Sequence, residues 1–419
     1  MKISELKNYQ RILILGYGVE GRAVSEFLQK VHPSAIVGIA DQNTDPDYLA
    51  KQKQYDLAIK SPGISKKKIT IPYTTATNIF FANIQNQIIG VTGTKGKSTT
   101  ASLIYDILKT AGKRAHLVGN IGKPAILYLL KEISKEDIFV MELSSYQLDD
   151  IQYSPHIAVF LTIFPDHMQY HSSFNDYFTA KSHIVTFSKN TDYFVYNPDD
   201  PKIGELTKSI RAQPAPFIQK IPFNIEKIKL LGMHNVDNIR AAVTVGHVLK
   251  IEDSIIEKAI VNFHPLPHRL QIVGTYHEIT FIDDGAATTP ESTIYSLNTI
   301  KNVDTLLIGG QDRGYDFSKL CKVIDELKIP NLVLFPDTGQ TILVGLEKRA
   351  YSPNILKTSH MEEAVEFAFK QTRPGKTCLL SSASPSYSLW KSFVEKGQRY
   401  QDAIKGYDEK NSPEKNHNT

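Results

Sequence analysis

The stretch Ile88–Leu108, "IIGVTGTKGKSTTASLIYDIL", constrains the chain more than any other. A short apolar run feeds a glycine-rich turn, Gly93-Thr94-Lys95-Gly96, and then Lys97-Ser98-Thr99 opens a segment with apolar residues at helical spacing, Ala101, Ile104 and Leu108. Strand, tight turn and helix in that order form a phosphate-binding loop. Backbone N–H groups converge on phosphate oxygens, a lysine offsets their charge, and a hydroxyl reaches a bound divalent ion. The usual spacing asks for glycine five residues before the Gly-Lys-Ser step, and Val91 stands there. The surroundings still fit a nucleotide triphosphate, and they commit residues 84–266 to an α/β domain with a mainly parallel sheet. Further strand-like runs, "DIFVMEL", "HIAVFLTIF" and "DYFVYN", alternate with helical segments as such a sheet requires.

At 419 residues the chain exceeds one compact core, and two other units flank this one. Residues 1–83 begin with "RILILGYGVEGRAVSEFL", which places Gly16, Gly18 and Gly21 after a strand and before a helix. A second apolar stretch ends at Asp41, twenty residues beyond Gly21. This is the dinucleotide-type fingerprint, although a strand-to-helix turn without a ligand has the same spacing. "HPLPHR" interrupts the pattern with two prolines and leads into a third α/β unit, residues 267–405, with strands "TLLIGG", "NLVLFP" and "TCLLSS". The tail 406–419 is polar and is expected to be disordered.

The bulk numbers exclude several classes. A formal net charge of +4, from 48 basic and 44 acidic residues, gives little support to nucleic-acid binding. The run Lys66-Lys67-Lys68 reads as a solvated loop. The longest apolar-rich run is strand-sized, and the N-terminus lacks the apolar core of a signal peptide, so we expect a cytoplasmic chain without a membrane partner. Cys321 and Cys378 have no metal or redox spacing and are expected in the core.

"TGTKGKST" resembles the loop of the Mur ligases and the related folylpolyglutamate synthases, and the likeness extends along nearly the whole chain. The resemblance is nearest to the glutamate-adding branch. It implies a Rossmann-like N-terminal domain for a UDP-linked substrate, a central P-loop-type ATPase domain, and a C-terminal Rossmann-like domain for the incoming amino acid. The substrates it implies are ATP, UDP-N-acetylmuramoyl-L-alanine and glutamate, with two Mg2+ ions, and the enzyme is expected to be a monomer.

Residue by residue, the likeness places ATP at Gly93, Thr94, Lys95, Gly96, Lys97, Ser98 and Thr99, with Asn235 from "GMHNVDNIRAA", Arg269 from "PHR" and Asp284 from "FIDDGAATTPEST". Metal would be held by Ser98, by Glu142 of "VMELSSYQL", by His167 of "TIFPDHMQYH", and by Lys181 of "YFTAKSHI" if carbamylated. Lys97, Glu142, His167 and Lys181 are thus the catalytic set. His167 and His171 have zinc-like spacing, but triphosphate chemistry calls for magnesium and oxygen ligands. The UDP-linked substrate would meet Gly16, Gly18, Gly21, Asp41, Ser61 and Gly63 of "SPGIS", and Asn120. Glutamate would meet Thr288, Arg313, Ser386 and Phe393. The chain departs from the family where a lysine usually follows Asp284 by two positions: Ala286 stands there. Both glutamate enantiomers therefore stay open at this point. A guanine-nucleotide switch lacks its base-recognition motif, and an oxidoreductase would explain only the first glycine motif.

Overall fold

The computed structural model describes residues 1–411 apart from 225–227, 229, 231–233 and 350. Three sheets stand where three domains were expected. The first joins β1 (Arg11–Leu15), β2 (Ile36–Ala40), β3 (Leu57–Lys60) and β4 (Tyr73–Thr74), in the order β2-β1-β3-β4 and all parallel. The second joins β5 (Ile88–Thr92), β6 (Arg114–Gly119), β7 (Asp137–Glu142), β8 (Ile157–Phe160), β9 (Tyr193–Tyr196) and β10 (Gln213–Pro216). Its order is β10-β9-β8-β5-β7-β6, again parallel throughout.

The third sheet holds β11 (Gln271–Tyr276), β12 (Ile279–Asp283), β13 (Val303–Gly309), β14 (Asn331–Phe335), β15 (Asn354–Lys357) and β16 (Thr377–Leu380). The hairpin pairing of β11 with β12 is its one antiparallel step; the order is β11-β12-β16-β13-β14-β15. The inner strands β5, β8, β14 and β16 are buried along their whole length, which is why they read as unbroken apolar runs.

These sheets belong to two compact units, one closing at Phe263 and one starting at His264. Residues 1–83 and the second sheet fall within one compact unit. The helix Ala76–Asn83 sends Phe80 and Phe81 into the apolar cluster of the second sheet, where Phe80 meets Phe139 edge-on at 5.2 Å. In return, Ile126 of the segment Ala125–Leu130 fills the cluster over the first sheet. Shared core residues of this kind fuse the first two sheets. The division into two units falls between Phe263 and His264, three residues before the expected boundary at 266/267.

Three expectations need correction. The tail is not wholly disordered: the helix Phe393–Asn411 continues through residues 406–411, held by Tyr407 stacked on Phe369 at 4.2 Å and by Asp408 paired with His277 at 3.3 Å. Residues 412–419 of that tail lie outside the described residues. The strand expected over 156–164 stops at Phe160, because Thr162 and Phe164 turn their backbone groups onto Thr94 instead of a neighbouring strand. Lys66 is not simply solvated: its ammonium lies 2.9 Å from Asp149. Cys321 and Cys378 are buried, as expected.

Candidate active site

In a parallel sheet, ligands gather beyond the carboxyl ends of the strands where the strand order reverses. In the second sheet that place surrounds β5, which lies between β7 and β8. β5 delivers the phosphate loop, β7 ends on Glu142, and the chain leaving β8 carries Asp166 and His167. Gly96 has a φ of +86°, and a Cβ there would run into Asn238 Oδ1; only glycine fits both demands. Asn238 in turn accepts from the Thr100 hydroxyl at 3.2 Å and donates to Asn235 Oδ1 at 2.8 Å. The helix His234–Val248 is thereby seated against the start of the helix Lys97–Thr110, and its buried Asn235 stands beside the loop.

Thr94 is the keystone of the turn. Its N–H donates to the Thr162 carbonyl at 2.8 Å, and its hydroxyl donates to Phe164 O at 3.0 Å while accepting from the Phe164 N–H at 3.1 Å and the Tyr177 hydroxyl at 3.1 Å. Lys97 Nζ donates to the carbonyls of Gly93 and Thr94, both at 2.9 Å. Lys95 lies 4.0 Å from Asp166. Ser98 and Thr99 are half-buried in the first helical turn. The loop thus brings three lysine amino groups near one another, because Lys181 also reaches it from the helix Phe174–Thr186.

Lys181 is 1% exposed and donates to Gly93 O at 2.9 Å and Thr92 Oγ1 at 3.3 Å, with the Tyr177 ring 4.9 Å from Nζ. Burial, reinforced by the Lys97 charge, pushes its pKa well below the ordinary lysine value. A lowered pKa shifts a lysine toward its free amine, the nucleophilic form. His167 takes a left-handed backbone, φ +57°, and its Nε2 lies 3.7 Å from Asp166. Burial lowers its pKa, with Asp166 opposing and the lysines adding to the effect. His171 is buried and bonded to the Ser145 hydroxyl at 3.1 Å.

Glu142 is 5% exposed, and its Oε2 is buried without a hydrogen-bond partner among the described residues. A carboxylate oxygen in that condition is costly unless something absent from the bare chain completes it. A divalent cation is such a group. No cluster of three or more His, Cys, Asp or Glu stands ready to hold one among the described residues. The donor set instead combines a carboxylate, the Ser98 hydroxyl and an amine that could become an anion, which suits a hard oxygen-seeking ion completed by phosphate oxygens.

The first sheet has its own reversal, at β1 between β2 and β3. Gly16 follows β1 with φ +86°, and a Cβ on it would press on Ser61, whose hydroxyl donates to Gly16 O at 2.9 Å. Gly18 caps the helix Val19–Val31, and Gly21 packs against the Gly16 carbonyl. Asp41 accepts from the Tyr17 N–H at 2.6 Å and the Asn43 N–H at 2.8 Å, bonds that hold its pKa below the ordinary carboxylate value. Gly63 is exposed beside Ser61. Asn120, exposed at the end of β6, donates its N–H to the Glu142 carbonyl at 3.3 Å. A cavity of about 730 Å³ lined by Tyr315, Cys321 and Arg349 shares no residue with any of these groups.

Comparison with known proteins identifies the family and the fold. The family model described as the Mur ligase middle domain matches residues 91–227, and that described as the Mur ligase glutamate ligase domain matches residues 268–384. UDP-N-acetylmuramoylalanine--D-glutamate ligase of Streptococcus equi subsp. zooepidemicus is 31% identical, covering 96% of this chain and 99% of its own. The enzyme of the same name from Halalkalibacterium halodurans is also 31% identical, over 98% of this chain and all of its own. The chain belongs to the Mur ligase family. Among solved structures, a MurF ligase from Thermotoga maritima in complex with ADP superposes with a TM-score of 0.63 at 16% identity, covering 95% of each chain. UDP-N-acetylmuramate-alanine ligase from the same organism gives 0.61 at 17%, covering 95% of this chain and 99% of its own. At such identities these two establish the fold.

In this Mur ligase the remaining expected residues fall in the second unit. Asp284 is buried, accepting from the Ser296 hydroxyl at 2.5 Å, the Ser381 hydroxyl at 2.9 Å and the Leu270 N–H at 3.2 Å. Burial pushes its pKa up to about 6 despite those bonds and the Arg269 charge. Arg269 is exposed and Thr288 half-buried. Arg313 Nε donates to Gln311 Oε1 at 3.1 Å, with its guanidinium 5.9 Å from the Tyr387 ring centre. The buried Ser386 hydroxyl has no partner among the described residues, and Phe393 is 37% exposed.

Sequence reading passed over Asp166, Tyr177 and Thr92, which hold the lysine cluster in place. Asp166 adjoins His167 in the motif and was within reach; nothing in the local sequence marks Tyr177 or Thr92. The buried set His268, Asp283 and Lys396 was also passed over. His268 Nδ1 lies 2.7 Å from Asp283, and Lys396 bonds to the Ser382 hydroxyl.

Proposed function

We propose that this Mur ligase joins glutamate, with D-glutamate preferred, to UDP-N-acetylmuramoyl-L-alanine with cleavage of ATP, in the assembly of peptidoglycan precursors. The full-length relatives named as D-glutamate ligases support that substrate pair. The observation that carries the chemistry is the gathering of the phosphate loop, Glu142 with its unpartnered oxygen and the buried Lys181 at one strand-order reversal.

A carboxylate does not react with an amine in water because oxide is a poor leaving group. Transfer of the γ-phosphoryl group from ATP to the substrate carboxylate gives an acyl phosphate. The glutamate amine then attacks that carbonyl carbon, and the tetrahedral adduct expels phosphate. Phosphoryl transfer of this kind depends on alignment and charge neutralisation more than on covalent help. The N–H groups of residues 93–99 would cradle the phosphates, with Lys97 moving from the Gly93 and Thr94 carbonyls onto them. Magnesium, when bound, would neutralise charge on the phosphoryl oxygens; Ser98, Glu142, His167 and carbamylated Lys181 would hold it. Asn235 and Asn238 would fix the nucleotide side; Arg269 and Asp284 are assigned to the nucleotide on the family resemblance alone.

The Gly16–Gly21 turn, Asp41, Ser61, Gly63 and Asn120 would hold the UDP-linked substrate. Arg313, Ser386, Thr288 and Phe393 would hold glutamate, an arginine fork suiting a carboxylate. No helix of the described residues is long and apolar enough to cross a membrane; it is the use of ATP and a nucleotide-linked substrate that places the reaction in the cytoplasm in this reading. The decisive experiment measures phosphate release with ATP, magnesium and UDP-N-acetylmuramoyl-L-alanine, comparing no amino acid, D-glutamate and L-glutamate. D-Glutamate should stimulate release. Stimulation by L-glutamate alone would reverse the stereochemistry, and no stimulation by either would sink the assignment.

A further inference from the structure

Lys60 ends β3 with its side chain wholly buried, a condition lysine tolerates only when its ammonium is fully engaged. Its Nζ lies 2.5 Å from Asp150, itself 1% exposed in its side chain, and donates to Ile64 O at 2.8 Å and Ser61 O at 3.5 Å. Those carbonyls belong to the 61–64 loop whose Ser61 hydroxyl closes on Gly16. Asp150 also accepts from the Tyr73 hydroxyl at 3.0 Å, and its carbonyl accepts from Asn78 Nδ2 at 2.8 Å.

Asp149 continues the same junction. It accepts from Lys66 at 2.9 Å and from the Tyr170 hydroxyl at 3.3 Å, and Tyr170 sits three residues beyond His167. The Asp149-Asp150 pair directly follows the helix Ser145–Leu148, which begins three residues after Glu142. One dipeptide therefore receives donors from the first sheet's loop and from the loop behind β8, at the end of the segment that carries Glu142. Lys60 and Asp150 are too buried to meet a substrate themselves.

We propose that Lys60 is a positioning residue for the UDP-linked substrate, and that its pairing with Asp150 holds the 61–64 loop, with the Ser61–Gly16 closure, in register with the strand end bearing Glu142. The proposal rests on the reading of that loop as the UDP-substrate loop. A buried ion pair can often be exchanged for apolar side chains of similar size without loss of stability. What such an exchange cannot replace is the directional bonding to Ile64 and Ser61. The pair should accordingly govern loop geometry more than folding.

The test compares wild type with the double variant Lys60→Met/Asp150→Leu, using steady-state kinetics, calorimetric titration with uridine diphosphate, and thermal unfolding. Losing a charge-assisted bond that orients a loop corresponds to about a tenfold rise in KM for the UDP-linked substrate and in Kd for uridine diphosphate. KM for ATP and for glutamate should stay within about twofold, and the unfolding midpoint should stay close to wild type. Lys66→Met, which breaks only the more exposed pair to Asp149, should change the uridine diphosphate affinity less than about threefold. If the double variant does not fold, Lys60→Gln/Asp150→Asn, which removes both charges together and shortens the reach to the Ile64 and Ser61 carbonyls, supplies the same comparison.

Unchanged uridine diphosphate affinity in a folded variant would overturn the proposal. So would an equal rise in all three KM values with a lowered unfolding midpoint, since that marks a structural role only. Wild type failing to bind uridine diphosphate would instead overturn the reading of the loop on which the proposal stands.

Discussion

The carboxyl ends of the second and third sheets both carry buried acids and a buried lysine, yet they are built on opposite terms. Beyond the third sheet the acids are satisfied from within. Asp283 accepts from His268 at 2.7 Å, Gln401 at 2.9 Å and the Gly285 N–H at 2.9 Å, while two serine hydroxyls and a backbone N–H bond Asp284. Beyond the second sheet, Glu142 keeps a buried oxygen with no hydrogen-bond partner among the described residues, and Lys95, Lys97 and Lys181 act on a common neighbourhood with Asp166 and Glu142. A self-satisfied network stabilises the fold. An incomplete one is tolerated because a ligand completes it, and sites of that kind trade stability for activity. The contrast separates Asp283, whose loss should unfold the protein, from Glu142 and Lys97, whose loss should silence it.

The largest effect that could break the contrast is on Lys97. Lys97→Ala should lower kcat by about 1,000-fold, as loss of a preorganised charge opposite a transferring phosphoryl group does, while the thermal midpoint holds. Retained turnover would remove the phosphate loop from the mechanism. Asp283→Ala should behave in the opposite sense, costing about 3 kcal/mol in denaturant unfolding because His268 and Gln401 lose a buried partner. Glu142→Gln comes next: about 100-fold lower kcat and a higher magnesium requirement, with stability equal to or above wild type. A destabilised Glu142→Gln protein would show that its carboxylate is structural after all.

Proton linkage sharpens the same comparison. The folded pKa of Asp284 is raised to about 6 by burial, so folding favours its neutral acid. Its contribution is fully present below about pH 4, the ordinary aspartate range, and is lost as pH rises through about 6. Asp284→Asn, which stays neutral, should therefore gain on wild type by on the order of 2 kcal/mol between about pH 4 and 7 in urea titrations. Lys396, lowered to about 7 by burial with Asp283 and Asp284 opposing, has the other sign. Its neutral form is favoured, and its contribution is lost as pH falls through about 7. The smallest effect belongs to Arg313→Lys, which should raise KM for glutamate by about threefold with stability unchanged, since a point charge replaces the fork on an exposed loop. An unaltered KM would take Arg313 out of the glutamate site.

Much of this protein was legible before folding. The phosphate loop, the helix after it, the strands β5, β7, β9, β13, β14 and β16, and the linker before the third sheet are written as local patterns. A buried parallel strand must be apolar throughout, and a turn at φ +86° must be glycine. Glu142 was readable as a strand-end acid for the same reason. The resemblance to the Mur ligases supplied Lys181 and His167, which no local pattern would have marked.

Tertiary structure decided the rest, since those relations join residues far apart in sequence. The meeting of Lys60 with Asp150, of Phe80 with Phe139 and of Tyr177 with Thr94 leaves no periodic trace in the chain. The fusion of the first two sheets, the lowered pKa of Lys181 and the unpartnered oxygen at Glu142 among the described residues all follow from such meetings. Sequence alone determines which residues repeat, turn or alternate; burial and charge environment are set by neighbours, and the fold chooses the neighbours.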